Sequence, residues 1–474
     1  MQVPILSGVF TDNGPNVRVS YPVNLVPVPT QSGASQEYLR PADGLISNGT
    51  GPGTDRGGVE WNGILYRVMG SKLVTVAQNG TVTVLGDVGD DGKLVTLDYS
   101  FDLLGIASAG KLWYWNPATS TLTQNTGFSV LIVPFGPVID ICWVDGYWLV
   151  TDGVYIAATD ITNPLTINPF SYDSSDADPD PISALVKLRN EVYAINRHTI
   201  EVFDNVGGNF FPFSRIDGAQ IEKGTIGTHT CCVFAEAVAF LGSGFNEAPA
   251  IYIGANGNAS KISTQEIDQL LLGYTEAQLA LAKLEARNDK THLHLHIHLP
   301  DRTLVYDYAA SQATNQQIWF TLTSTLAGFA QYRARNFVWC FDRWNIGDPL
   351  SSAVGYTTDL TSDHYGQQVR WEFGTLMVYN GGKGAVVHEL ELVALTGRVP
   401  LGVNPQISTS YSLDGQSWSQ DRIISAGTTG NAAKRLVWWQ QGMMRNFRMQ
   451  RFRGTSAAHL SFLRLEAQIE ALAY

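Results

Sequence analysis

A repeated unit of alternating apolar residues and tight turns constrains this chain more than any other feature. The first copy, from residue 59, reads VEWNGILYRVMGSKLVTVAQNGTVTVLGDV, with turns at Asn62-Gly63 and Asn79-Gly80. The third turns at Asp145-Gly146. Asn-Gly and Asp-Gly suit type I′ hairpins, whose two central residues both need positive φ. Alternation at period two is the pattern of a half-buried strand. Five units begin near residues 59, 95, 138, 182 and 227, a spacing of roughly 36–45 residues that matches a four-stranded propeller blade. A sixth holds THLHLHIHLPDRTLVYDY, and a less regular seventh covers about 329–373. The expected fold is mainly β, with a β-propeller of six or seven blades over residues 59–373. No WD dipeptide or kelch glycine pair recurs, and an array of β-sandwiches fits the same alternation.

The flanks read differently. Residues 1–58 carry Pro22, Pro27, Pro29, Pro41 and Pro52 and are expected to form an irregular arm lying on another surface. A helical insertion is expected at 264–287. Ser263–Glu266 and Thr275–Gln278 fit capping boxes, which suggests helices over 264–272 and 276–287 broken at Gly273. Residues 374–474 read as a separate C-terminal β-domain, sandwich-like, in which Ser412–Trp418 resembles a hairpin-bracing Asp-box. Charged residues make up 16% of the 474, against roughly 25% in an average soluble protein, and there are 46 Gly and 20 Pro. That balance argues against helical bundles and coiled coils. No apolar run approaches the ~18 residues that span a bilayer, so no membrane insertion is expected. The opening MQVPILSGVF lacks the basic start and apolar stretch of a signal peptide. Cys142, Cys231, Cys232 and Cys340 form no CxxC pair and imply neither a disulfide framework nor a zinc site.

Candidate chemistry is sparse. His292, His294, His296 and His298 alternate, and on a strand they share one face, where an HxH pair can hold a metal. The bland alternative is a solvated polar face opposite buried Leu293, Leu295, Ile297 and Leu299. No third ligand is evident nearby, so no metal or other cofactor is assigned. Asp176, Asp178 and Asp180 have calcium-loop spacing, but Pro181 and Lys187 stand where an EF-hand needs Gly and Glu. GxSxG and P-loop motifs are both missing, so no catalytic residue is named and the chain is not expected to be an enzyme. Net charge is −12, unlike a protein that grips duplex DNA by neutralising phosphates. Against that background, no acidic residue lies between Asp421 and Glu466. Lys434, Arg435, Arg445, Arg448, Arg451 and Arg453 fall there, interleaved with Trp438, Trp439, Phe447 and Phe452. This is either the outward face of a strand pair or a surface for an acidic partner, protein or nucleic acid. Alternation places Arg435, Val437 and Trp439 on one face and Lys434, Leu436 and Trp438 on the other, and sets Arg448 opposite Arg451 and Arg453.

Several patches together resemble the packaged-DNA stabilisation proteins of short-tailed phages, also called tail hub or nozzle proteins. They are YPVNLVPVP with EYLRPADGL, then RGGVEWNGILYRVMGSKLVTV, EKGTIGTHTCCVFAEAVAFLG, IDQLLLGYTEAQLA and HIHLPDRTLVYDY. They follow the family's order over the first two thirds of the chain, and the last hundred residues match less clearly. The resemblance implies a virion tail component assembled in the host cytoplasm, and a homo-oligomer forming a hexameric ring below the portal and adaptor ring. Such a ring continues the channel for double-stranded DNA without sequence specificity, seals and then conducts the genome, and carries the tail needle and tailspikes. It gives the histidine row no metal role. Under it, the basic run suits a subunit or adaptor contact better than DNA gripping. A carbohydrate-binding or carbohydrate-cleaving propeller, such as a phage depolymerase, is the alternative from another functional class, since 12 Trp and 19 Tyr could stack on sugars.

Overall fold

The computed structural model describes residues 1–11, 17–29, 37–176 and 178–472. Seven successive antiparallel sheets form the blades of a propeller. Blade one spans the strands Asp55–Trp61 to Val82–Asp87, and blades two to four follow with four strands each. Blade five has five strands, and blade six runs from Lys283–Asp289 to Trp319–Leu322. Blade seven takes Arg335–Cys340, Arg343–Gly347 and Ala353–Thr358, and is completed by Gly44–Thr50. The innermost strands abut in sequence around the ring, and that of blade seven meets that of blade one, which closes the circle.

The turn dipeptides act as the sequence implied. Asn62 and Gly63 have φ of 53° and 76°, Asp145 and Gly146 49° and 91°, and their flanking strands pair in tight register. At Asn79-Gly80 only the glycine is left-handed; Asn79 instead accepts the Thr81 amide on its side chain.

Three expectations are corrected. Residues 1–58 are not an irregular arm: Gly44–Thr50 closes blade seven, and Leu25–Pro29 and Glu37–Pro41 are sandwich strands. Nor does the second helix extend to 287. The helices are α1 (Gln265–Leu271) and α2 (Glu276–Leu279), and Lys283–Asp289 is the inner strand of blade six. Only the Thr275–Gln278 capping box forms; Ser263 turns its hydroxyl to Asp268 at 2.6 Å instead. Lastly, Arg370–Gly374, read as part of the seventh repeat, pairs with Phe447–Thr455 in the sandwich.

The sandwich gathers strands from both ends of the chain. One sheet orders Leu25–Pro29, Glu37–Pro41, Phe462–Ala471, Ala385–Ala394 and Leu436–Met444, with Gln2–Val3 beside Phe462–Ala471. The other orders Arg370–Gly374, Phe447–Thr455, Gln406–Ser412 and Arg422–Ser425. Between them lies an aromatic core of Trp371, Phe373, Trp438, Phe452 and Phe462. The segment Pro22–Asn24 stitches the two units together. Thr321 of blade six donates its amide to Pro22 O at 2.8 Å, and Val23 N donates to Glu372 O of the sandwich at 2.8 Å. Asn24, buried with φ 51°, donates its side-chain amide to Thr323 O at 2.9 Å and Arg370 O at 2.7 Å.

Candidate functional site

The basic run is dispersed by the fold rather than gathered into one patch. Leu436–Met444 alternates as expected as far as Trp439: Leu436 and Trp438 point into the core, while Arg435 and Trp439 face out, Trp439 being 60% exposed; a bulge at Gln440, with φ 52°, then breaks the alternation. Lys434 is half-buried just before that strand, and Arg445 is exposed in the turn after it. On Phe447–Thr455, Arg448 points inward and Arg451 and Arg453 lie on the opposite face, again as alternation required.

The run is not, however, uncompensated. Arg435 donates to Glu391 at 2.8 and 2.6 Å and to Glu389 at 3.3 Å, and these bonds raise its pKa above the ordinary arginine value. Arg453 pairs with Asp421. Arg451 stacks over Trp418 at 4.1 Å and donates to Ser410; burial, with Arg453 beside it, lowers its pKa. Arg448, 3% exposed, meets no carboxylate among the described residues. Its guanidinium donates to Gln450 Oε1 at 3.1 and 3.0 Å and to Gln441 O at 2.7 Å, and lies 3.9 Å from the Tyr411 ring. Burial pushes its pKa down to about 10. Sequence spacing could not show these partners, because Glu389 and Glu391 lie on the neighbouring strand, some forty residues upstream.

Residues outside the run complete a groove at the joint between propeller and sandwich. Its volume is about 420 Å³, and Leu326, Arg370, Glu372, Asp421 and Arg453 line it. At this joint the Phe329 ring has Arg302 at 3.8 Å and Arg370 at 4.8 Å, which ties blade six to the sandwich by cation–π contact. Sequence reasoning missed both arginines, which lie far apart in the chain and far from the basic run.

The histidine row departs furthest from expectation. It is not a solvated face: His294, His296 and His298 are buried, as are Leu295, Ile297 and Leu299 opposite. A blade in a closed ring is covered on both faces by its neighbours; Phe337 of blade seven packs on the row, and Phe320 of the same sheet flanks it. Burial lowers the pKa of all three imidazoles. His298 Nδ1 lies 3.0 Å from Thr303 Oγ1, and its Nε2 lies 2.7 Å from Glu285. His292 and His294 both approach Asp307, which is fully buried. Burial opposes the charge of Asp307, yet the two imidazoles and the Ala310 amide hold its carboxyl below the usual range. Beside them Arg40, Asp43, Arg287 and Asp289 form a closed set of alternating charges that joins the sandwich strand Glu37–Pro41 to blade six.

Carboxylates of the inner strands also cross the seams between blades. Asp98 accepts Trp143 N at 2.7 Å, and Asp140 accepts Thr96 Oγ1 at 2.6 Å and Leu185 N at 2.8 Å. Glu285 accepts Asn336 N and Phe337 N, each at 3.1 Å. Asp55 accepts Arg67 at 2.8 Å and also bonds Asn336. In the aspartate-rich loop, Asp180 accepts the amides of His198 and Thr199 and Asp178 accepts Gln220, so these two carboxylates are occupied in bracing neighbouring turns. Asp414 braces its own hairpin through the amides of Gln416 and Ser417, as an Asp-box does.

Comparison with known proteins agrees with this architecture. A family described as Bacteriophage P22 Gp10, beta-propeller, matches residues 1–362, and one described as Bacteriophage P22 Gp10, beta-sandwich, matches residues 370–470. The Tail hub protein gp10 of Salmonella phage P22 is 27% identical over 469 residues, covering 94% of each chain. Among solved structures, the WD40 domain of Neurospora crassa Pan2 is 7% identical with a TM-score of 0.40, over 66% of this chain and 95% of that one. The designed Ika8 protein is 10% identical with a TM-score of 0.39, over 67% and 100%. Likenesses of that size add nothing to the sheets seen directly. The two family matches, one for each structural unit and together spanning nearly the whole length, carry the assignment: this chain belongs to the Bacteriophage P22 Gp10 family.

Proposed function

We propose that the chain is a structural component of a phage tail, a hub that continues the DNA channel below the portal and adaptor. In this reading it forms a hexameric ring, retains packaged DNA, conducts it at ejection, and offers attachment for the tail needle and tailspikes. It acts in the virion after assembly in the host cytoplasm, and it catalyses no reaction. The observation that carries the reading is the identity to a tail hub protein across 94% of both chains. Charge supports it. A chain of net −12 repels phosphates, so DNA slides past instead of being held. Arg435 and Arg453, which could have gripped a backbone, are matched by carboxylates of the same chain. The part of the basic run best fitted to a protein contact is Arg445, in the turn at the end of the strand that exposes Trp439 and Met443.

The decisive test is removal of the gene from the phage. Capsids should fill with DNA and then lose it, and cryo-EM of wild-type particles should show a ring of this chain below the adaptor. Full, infectious particles lacking the protein would end the proposal. Arg445→Glu combined with Trp439→Ala should impair ring formation or docking while leaving the chain folded; normal assembly would move the contact elsewhere.

A further inference from the structure

His292, His294 and Asp307 form a set of ligands that the fold brings together without any of the proposed hub functions requiring it. The three ligand atoms lie within 4.8 Å of one another. Strand geometry explains the meeting. His292 and His294 are two apart on His292–His298, so they share a face. Asp307 ends the next strand directly opposite His294, and cross-strand partners place their Cβ atoms about 4.5–5.5 Å apart. His294 Nε2 lies 3.4 Å from Asp307 Oδ2. Tetrahedral ligands bound at ~2.0–2.2 Å sit about 3.3 Å from each other, a spacing that His294 and Asp307 already have, whereas His292 Nδ1 hydrogen-bonds the same oxygen and exchanges that bond for the cation.

Two further features point the same way. His294 is 2% exposed, and its Nε2 is buried with no hydrogen-bond partner although it faces Asp307. Its approach to Asp307 at 3.4 Å makes no hydrogen bond, and a cation between the two atoms would satisfy both. The other oxygen of Asp307 is held by the amide of Ala310 at 3.0 Å, in the first turn of α3 (Tyr308–Thr314). That bond fixes the carboxylate as an outer-shell partner does in metal sites. The adjacent Arg40, Asp43, Arg287 and Asp289 neutralise one another, so they do not repel an incoming dication. His292, the least buried of the three, marks the way in.

We propose that His292, His294 and Asp307 bind one first-row divalent cation of the zinc class, which staples the central strands of blade six to the start of α3. Two imidazoles and a carboxylate suit zinc and its neighbours better than calcium or magnesium, which prefer all-oxygen sites.

The test uses the full-length chain, stripped with a chelator and titrated with Zn2+ or Co2+ alone. Expected are one bound equivalent, a visible d–d band with Co2+, and a melting temperature several degrees higher with Zn2+. His292→Gln, at the least buried of the three ligands and with an amide that can still reach Asp307, should weaken binding at least tenfold while its far-ultraviolet circular dichroism stays unchanged. Asp307→Asn should do the same. Failure of the stripped wild-type chain to take up either ion overturns the proposal. So does uptake that is unaffected by both substitutions, because the ion would then be held elsewhere.

Discussion

The propeller and the sandwich solve one packing problem in opposite ways. The first six blades are each built from one continuous stretch of sequence, and polar groups work at the seams between blades, where Asp55, Asp98, Asp140 and Glu285 bind amides or side chains of an adjacent blade. The sandwich pairs strands hundreds of residues apart, Gln2 with Glu466 and Leu39 with Phe462, and joins its sheets through an aromatic core. A ring of like blades needs direction at its seams, which hydrogen bonds supply. Two stacked sheets need only complementary apolar faces. A buried charge is therefore tolerated in the propeller because it has an assigned partner, within its blade as for Asp55 with Arg67 or across a seam as for Asp140 with Leu185.

The strongest test of that contrast is Asp55→Ala. It leaves Arg67, fully buried, without its carboxylate at the seam between blades seven and one. The expected loss is about 4 kcal/mol in urea unfolding, since a buried charge stripped of its partner is costly. A loss below about 1 kcal/mol would show that ring closure does not depend on polar seams. Next is Phe452→Ala in the sandwich, where Phe452 is 0% exposed and packs 5.1 Å from Phe373 and 5.5 Å from Trp438. The cavity should cost about 3 kcal/mol. Because Pro22–Asn24 stitches the units together, both substitutions should shift one shared transition. Two separate transitions would show that the units unfold independently.

A gentler effect is a slope rather than a step. Burial raises the pKa of Asp140 to about 7. A carboxyl raised on folding keeps its proton longest in the native state. Its contribution is complete below about pH 4 and is lost as pH rises towards 7. Over that window the wild type should lose stability relative to Asp140→Asn, measured as urea midpoints. Parallel curves would show that the hydrogen bonds from Thr96, Leu185 and Ile141 keep Asp140 charged. The smallest effect belongs to Arg435→Gln. Its pair with Glu391 is exposed and screened by solvent, and its loss should shift the urea midpoint by no resolvable amount. A clear shift would mean that the outer face of the sandwich carries polar organisation like that of the seams.

What the sequence revealed follows the same division. Asn62-Gly63 and Asp145-Gly146 set local hairpins, so blades one and three could be read directly. Gly44–Thr50 could not, because its partner Ala353–Thr358 lies some three hundred residues away and nothing local marks the pairing. Lys283–Asp289 was mistaken for helix because Ala, Lys, Leu, Glu and Arg all favour one, and pairing with the histidine strand overrode that preference. The histidines gave an accurate face but a wrong environment. Alternation tells which side a residue is on, not what covers it, and Phe320 and Phe337 come from other strands. Asp307 was hidden as a ligand for the same reason: the register of a hairpin is a tertiary fact. For the basic run, alternation orders the faces through Trp439, yet the partners Glu389, Glu391 and Asp421 come from other segments of the sandwich, and spacing along the run does not show them.

The closing strand Gly44–Thr50 also sets a timetable. It emerges from the ribosome early, but its partner Ala353–Thr358 is made roughly 15–60 s later at ~5–20 residues per second. Until then blades one to six can fold as separate hairpin sheets, but the ring stays open. The sandwich waits longer still, for Phe462–Ala471. A prematurely terminated chain thus has neither a closed propeller nor a finished sandwich. Completion of the last strands is the event that converts a string of sheets into an object with a fixed outline, so truncated products lack every surface built from both ends of the chain.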